Sequence, residues 1–156
     1  MVLRGAQLCY TEHMHTHPPN YAEPQSARLL EVLLSWDKRA PIDERFYSLR
    51  YFQGILAEKS GDAPLAAREL LQRAIALLRQ DKAEYADVLL AYLLSNEKVE
   101  LAANRLSMGQ ATFHRKRKDA LPKLAEKLEQ LEQTCLADHR QRMTQRLPVQ
   151  TYLERL

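Results

Sequence analysis

The stretch that decides the fold is Glu97–Leu121, which reads EKVELAANRLSMGQATFHRKRKDAL. Apolar residues recur at helical spacing in its first part, over Lys98–Leu106. The pattern is interrupted over Leu106–Gly109 and resumes from Gln110. We therefore predict two short helices joined by a tight turn.

The apolar residues around this interruption predict how the two helices meet. Ala103 is small enough for a close helix crossing, and Met108 is an apolar residue among polar neighbours in the turn. Phe113 begins an inner stripe on the second helix. Two short helices that cross at a small residue and enclose an apolar plug are typical of a helix-turn-helix.

The second helix carries a concentrated positive charge. Five Lys and Arg residues and no acidic residue lie between Arg105 and Lys118. At 100° per residue, the side opposite Phe113 holds Ala111, Arg115 and Lys118. Such a local field favours an anionic partner, and an α-helix fits the major groove of DNA. We therefore predict double-stranded DNA as the partner.

The predicted contacts divide into two roles. Arg115 is the first choice for reading a base, because a guanidinium can bond two acceptors of guanine. The full set of predicted base contacts is Gln110, Ala111, Thr112, His114 and Arg115. Phosphate contacts set position without reading sequence. They are predicted at Arg105, Lys116, Arg117 and Lys118.

The stretch Val99–Leu121 resembles the helix-turn-helix of bacterial transcription regulators related to region 4 of sigma factors. The matching residues are Ala102, Ala103, Leu106, Met108, Ala111, Thr112, Phe113 and the basic run Arg115–Lys118. Two positions depart from the family: Ser107 stands at the usual turn glycine, and Gly109 at the usual Ser/Thr cap. The resemblance extends from Ala83 to Leu124 and implies a regulator that reads DNA. More loosely, residues 64–132 are similar to bacterial modules that precede an ATPase, which implies fusion to or partnership with a larger regulatory protein.

The rest of the chain also has helical patterns. They cover Gln25–Lys38, a segment from Asp43 to Ser60–Gly61, a third that starts at Asp62 and Pro64, and a fourth that ends at Ser95–Asn96. No alternating run of β-branched residues indicates a sheet. We predict an all-α fold: a helical bundle with a helix-turn-helix unit and a long amphipathic C-terminal helix. The expected organisation is a flexible segment 1–24, a bundle 25–95, the helix-turn-helix 96–121, a leucine-seam helix 122–146 and a tail 147–156.

A leucine seam follows the basic helix. Its members recur in steps of three and four: Leu121, Leu124, Leu128, Leu131 and Cys135. The seam lasts about two heptads, fewer than the three or four that make a coiled coil convincing. Two interpretations stay open, a helix that packs on its own domain and a homodimer seam. Pro122 predicts that the recognition helix kinks or restarts there.

Composition excludes several classes of protein. The formal net charge is only +3, but residues 97–156 carry 12 Lys/Arg against 8 Asp/Glu. No stretch is apolar enough to span a membrane and no signal-peptide pattern is present. Two cysteines, Cys9 and Cys135, make no disulfide framework and fit a cytoplasmic location.

We expect no cofactor, no metal site and no enzymatic activity. Cys9 with His13, His15 and His17 has no second ligand pair at zinc-like spacing. Glycine-rich phosphate loops, paired cysteines and zinc-binding helices are missing from the sequence. The alternative function is a helical protein-interaction module, in which the basic face would meet an acidic partner.

Overall fold

The computed structural model describes the backbone of residues 24–154 and the side chains of residues 24–145. That stretch is helical and has no β-strand, so the prediction of an all-α fold is confirmed. Its helices are α1 (Gln25–Leu34), α2 (Glu44–Tyr47), α3 (Arg50–Glu58), α4 (Ala63–Asp81), α5 (Ala83–Leu89), α6 (Val99–Arg105) and α7 (Gln110–Glu154). A π-helical segment, Leu90–Leu94, prolongs α5. The segment predicted to be flexible lies, except for residue 24, outside the described residues.

The first helix is shorter than predicted, because α1 ends at Leu34 instead of Lys38. Ser35 Oγ donates a hydrogen bond to the carbonyl oxygen of Glu31 at 3.0 Å, which satisfies one of the helix's terminal acceptors. The chain then turns, and Trp36 Nε1 donates to the carbonyl oxygen of Leu93 at 3.3 Å. The segment after α1 is thereby attached to the π-helical segment.

The single helix predicted after Asp43 is wrong, because the chain forms two helices there. Asp43 does cap the first of them, α2, by accepting the backbone N–H of Arg45 at 2.9 Å. Leu49 is extended between α2 and α3, with φ −81° and ψ 124°. The buried carboxylate of Glu132 in α7 accepts the N–H groups of Arg50 and Tyr51, both at 3.0 Å. A distant side chain thus caps α3 where the sequence suggested a continuous helix.

The start of α4 agrees with the prediction. The preceding helix ends with Ser60 and Gly61 in the left-handed region, at φ 57° and 82°. Asp62 then caps α4 by accepting the backbone N–H of Leu65 at 3.1 Å. Lys82 is extended, with φ −146° and ψ 91°, and separates α4 from α5. Local residue chemistry accounts for these boundaries.

The last helix, α7, packs against most of the other helices. It spans 45 residues, a length of about 68 Å at 1.5 Å per residue, and contacts α1, α3, α4, α5 and α6. The restart predicted at Pro122 does not occur, and the tail predicted from residue 147 is helical as far as Glu154. Because Pro122 has no backbone N–H, the carbonyl oxygen of Lys118 has no helical donor. Pro122 is exposed, so water can donate to that oxygen instead.

Two apolar clusters hold these helices together. The main core draws on α1 to α5 and α7, and includes Leu33, Phe46, Phe52, Leu71, Leu78, Leu89, Leu124 and Leu128. The second core is smaller and consists of Val88, Ala91, Ala102, Ala103 and Phe113. Because α5 and its π-helical extension contribute to both cores, the bundle and the predicted helix-turn-helix share one element. No helix within the described part of the chain is both long and apolar enough to cross a membrane.

Candidate nucleic-acid interface

The turn between α6 and α7 is a Schellman motif. Ser107 adopts φ 57°, in the left-handed region, and its N–H donates to the carbonyl oxygen of Asn104 at 3.0 Å. The N–H of Met108 donates to the carbonyl oxygen of Ala103 at 2.9 Å. These two bonds satisfy the carbonyls at the end of α6 and reverse the chain. Ser107 is the residue that departs from the family's glycine, and its backbone takes the conformation that glycine favours.

Packing of the second core fixes the start of α7 against α6. Phe113 is completely buried, and Ala102 and Ala103 are each 1% exposed. Met108 is half-buried against this cluster, as predicted for a plug between two helices. Leu106 and Val99 pack beside it. The first turns of α7 therefore have a defined inner side.

Four of the five predicted base-reading residues are exposed to solvent. Gln110, Ala111, His114 and Arg115 are exposed, whereas Thr112 is half-buried. Ala111, Arg115 and Lys118 follow each other at helical spacing on the strip farthest from Phe113. The face on which the prediction depends is uncovered by any other described element.

The predicted phosphate contact at Arg105 is engaged elsewhere. Its Nη2 lies 3.1 Å from Glu97 Oε2, and its Nε also donates to this carboxylate. The hydrogen bond to Glu97 raises the pKa of Arg105. Arg105 is therefore paired with an acid at the start of the same motif, and its contact with a phosphate stays a prediction.

Two neighbouring cations on α7 also have intramolecular partners. Lys116 forms an ion pair with Glu84 of α5 and is half-buried. The guanidinium of Arg117 lies over the ring of Tyr92, 4.6 Å from its centroid. A cation–π contact of this kind favours the packed position over solvent. To contact a phosphate, as predicted, each of these residues would have to leave its intramolecular partner.

Arg115 and Lys118 remain available. Both are exposed, and neither has a hydrogen-bond, ion-pair or cation–π partner among the described side chains. They share the outer strip of α7, so their charges act in the same direction. Of the five cations between Arg105 and Lys118, only Arg115 and Lys118 thus lack an intramolecular partner among the described side chains. Arg115 was predicted to contact a base and Lys118 a phosphate.

The intramolecular partners of these cations were not predicted from the sequence. Glu84 lies 32 residues before Lys116, and Glu97 lies eight residues before Arg105 across a helix boundary. Tyr92 is half-buried at the edge of both cores, and its ring contacts the guanidinium of Arg117. No periodic pattern links residues on separate helices, so these pairings become visible only in three dimensions.

The leucine seam faces the main core. Leu121, Leu124 and Leu128 are buried there, at 3%, 0% and 1% exposure, and Leu131 packs at the edge of the core. Of the two interpretations of the seam, the structure shows packing within the same chain. Beyond it, residues 137–145 of α7 are exposed.

No group of three or more metal-ligating side chains occurs within the described residues. The candidates Cys9, His13, His15 and His17 lie outside that range. A comparison with protein-family models, curated proteins and solved structures found no match for this chain.

Proposed function

We propose that this chain binds double-stranded DNA in a sequence-dependent manner, with the N-terminal turns of α7 in the major groove. The observation that carries the proposal is the left-handed turn at Ser107, which seats Phe113 inside and leaves Arg115 and Lys118 outside. An exposed helix face with free cations is what groove binding requires. In this proposal the chain acts as a bacterial type of transcription regulator in the cytoplasm.

The free side chains suggest distinct roles. Arg115 reads a guanine, and Gln110, Ala111 and His114 contact the flanking bases. Thr112 is half-buried and contributes from the edge of this face. Lys118 binds a phosphate, and Arg105, Lys116 and Arg117 join it only by leaving their intramolecular partners. Affinity therefore depends on few ionic contacts.

Selection of bound sequences from random duplexes is the direct test. With the selected site in hand, Arg115→Ala should lower the preference for it over a scrambled duplex by about 1–3 kcal/mol. Lys118→Ala should weaken both duplexes equally, because a phosphate contact is independent of sequence. Arg28→Ala, which removes an exposed cation of α1, is the matched control. Failure to bind any duplex at about 50 mM salt would refute the proposal.

A protein-interaction module is the second candidate, and one observation favours it. Leu101 is 57% exposed and Leu90 is 40% exposed, which leaves apolar surface on α6 and on the π-helical segment. An acidic partner with an apolar anchor would use both surfaces. Competition separates the two candidates: DNA and heparin should displace each other on the α7 face, whereas Leu101→Ser should impair only protein binding.

A homodimer on DNA and a link to a larger regulatory protein belong to the same proposal. Because Leu121, Leu124 and Leu128 are used in the main core, a second copy would have to contact a different surface. Paired half-sites would increase the overall affinity without new base contacts. Sedimentation of the protein with and without duplex measures this directly.

A further inference from the structure

A groove of about 390 Å³ opens on the side of the bundle where the segment after α1 meets the start of α4 and the π-helical segment. Its apolar walls are formed by Trp36, Ile42, Pro64, Leu65, Leu93 and Leu94. Leu65 is 46% exposed, so part of this wall faces solvent. A groove of this size is within the range of small-ligand sites, roughly 300–1,000 Å³.

Two cations stand at the groove without acidic partners. Lys38 and Arg68 both line it and are exposed, and neither has a hydrogen bond or ion pair among the described side chains. Burial, followed by the nearby charge of Arg68, lowers the pKa of Lys38. The two like charges therefore act on each other, and an anion between them would relieve their repulsion.

The carboxylates at the groove are already engaged with the backbone. Asp62 accepts the N–H of Leu65 at 3.1 Å as the cap of α4. Asp37 accepts the N–H of Arg39 at 2.9 Å. Both acids thus satisfy local donors and neither forms an ion pair with Lys38 or Arg68. The groove thus places an apolar wall next to two cations that form no ion pair, while the two carboxylates of the lining are directed at backbone N–H groups.

We propose that this groove binds a small amphipathic carboxylic acid. The apolar tail lies against Trp36 and Leu65, and the carboxylate lies between Lys38 and Arg68. A charge-assisted hydrogen bond from each cation supplies the selectivity for the acid over a neutral molecule of the same shape. This inference does not depend on DNA binding, because the groove and the basic face of α7 share no residue.

The groove also contacts the element that leads to α6. Trp36 donates from Nε1 to the carbonyl oxygen of Leu93, and Leu93 and Leu94 belong to the π-helical segment. A ligand against Trp36 therefore changes the surroundings of the single tryptophan of the chain. Tryptophan fluorescence reports occupancy of the groove without any added label.

The test uses octanoate as the probe, with 1-octanol and acetate as matched ligands. Octanoate should change Trp36 fluorescence with saturation and bind at least about tenfold more tightly than either control, as a charge-assisted contact implies. Calorimetric titration of the same ligands checks binding that leaves the fluorescence unchanged. Equal affinity for 1-octanol, equal affinity for acetate, or no octanoate binding by either method would overturn the proposal.

Variants locate the binding to the two cations. Arg68→Met should weaken octanoate binding about tenfold and leave 1-octanol binding unchanged, and Lys38→Met should act in the same way. Arg39→Met is the control, because it removes a neighbouring cation that does not line this groove. Arg68 is exposed on α4, so its substitution leaves the core intact, and thermal unfolding verifies this. Octanoate affinity that is the same in Arg68→Met, Lys38→Met and the control would refute the assignment.

Discussion

Substitution of Glu84 by glutamine should make duplex binding more sensitive to salt. Each phosphate neutralised contributes about −0.9 to the slope of log affinity against log salt. With Lys118 as the one free phosphate contact, the wild-type slope should be about −0.9. Glu84→Gln releases Lys116 from its ion pair and should steepen the slope to about −1.8.

These slopes translate into a measurable difference. Between 50 and 200 mM salt the wild type should lose affinity about 3.5-fold, and Glu84→Gln about 12-fold. Fluorescence anisotropy with one labelled duplex of mixed sequence, titrated at four salt concentrations, gives both values. Binding at the lowest salt should also be tighter in the variant, because one more cation meets the phosphates.

The matched control is Glu58→Gln, which makes the same change in net charge far along the chain from α7. Glu58 pairs with Arg73 at 3.4 Å, and neither residue belongs to the basic face. Equal slopes for the two variants would show that Lys116 does not reach a phosphate. A wild-type slope near −3.6, the value for all four predicted phosphate contacts, would show that Arg105, Lys116 and Arg117 leave their intramolecular partners on binding.

Three further predictions concern the fold. Ser107→Gly should raise the free energy of unfolding by up to about 1 kcal/mol in urea titrations. The strain of a non-glycine residue in the left-handed region exceeds the entropy that glycine loses on folding. An unchanged urea midpoint would contradict a strained turn. Glu132→Ala should lower it by about 1–3 kcal/mol, since two backbone N–H groups lose a buried acceptor, and Glu132→Gln, which keeps one acceptor oxygen, should lower it less. The hydrogen bond from Arg45 lowers the pKa of Asp43. The ionised Asp43 carboxylate therefore stabilises the folded state above its unfolded pKa of about 3.8, and this stabilisation is lost as pH falls through the lower pKa of the folded state. Asp43→Asn should therefore reduce the acid sensitivity of unfolding below pH 4, and a parallel pH profile for the two proteins would argue against this contribution.

Local chemistry made several boundaries of this fold predictable. Asp43 and Asp62 are capping residues, and both accept backbone N–H groups at the start of a helix. Gly61 ends α3 in the conformation for which glycine is suited. The interruption at Leu106–Gly109 and the restart at Gln110 follow from the apolar spacing. Each of these features depends on residues within one or two turns of each other.

Features that depend on distant residues escaped prediction. The break at Leu49 requires Glu132, more than 80 positions away, to cap α3. The pairing of Lys116 with Glu84 likewise depends on how α5 lies beside α7. At the candidate site, helical geometry correctly placed Arg115 outside and Phe113 inside. It did not indicate which cations were already neutralised, because that depends on the neighbouring helices.

The uninterrupted course of α7 has a mechanical consequence. The residues that face outward near Arg115 and those buried near Leu128 belong to one continuous helix that runs past Pro122. A tilt of this helix about its contacts in the main core would move its two ends in opposite directions. A partner that binds the exposed stretch 137–145 would therefore change the orientation of the basic face without contacting it.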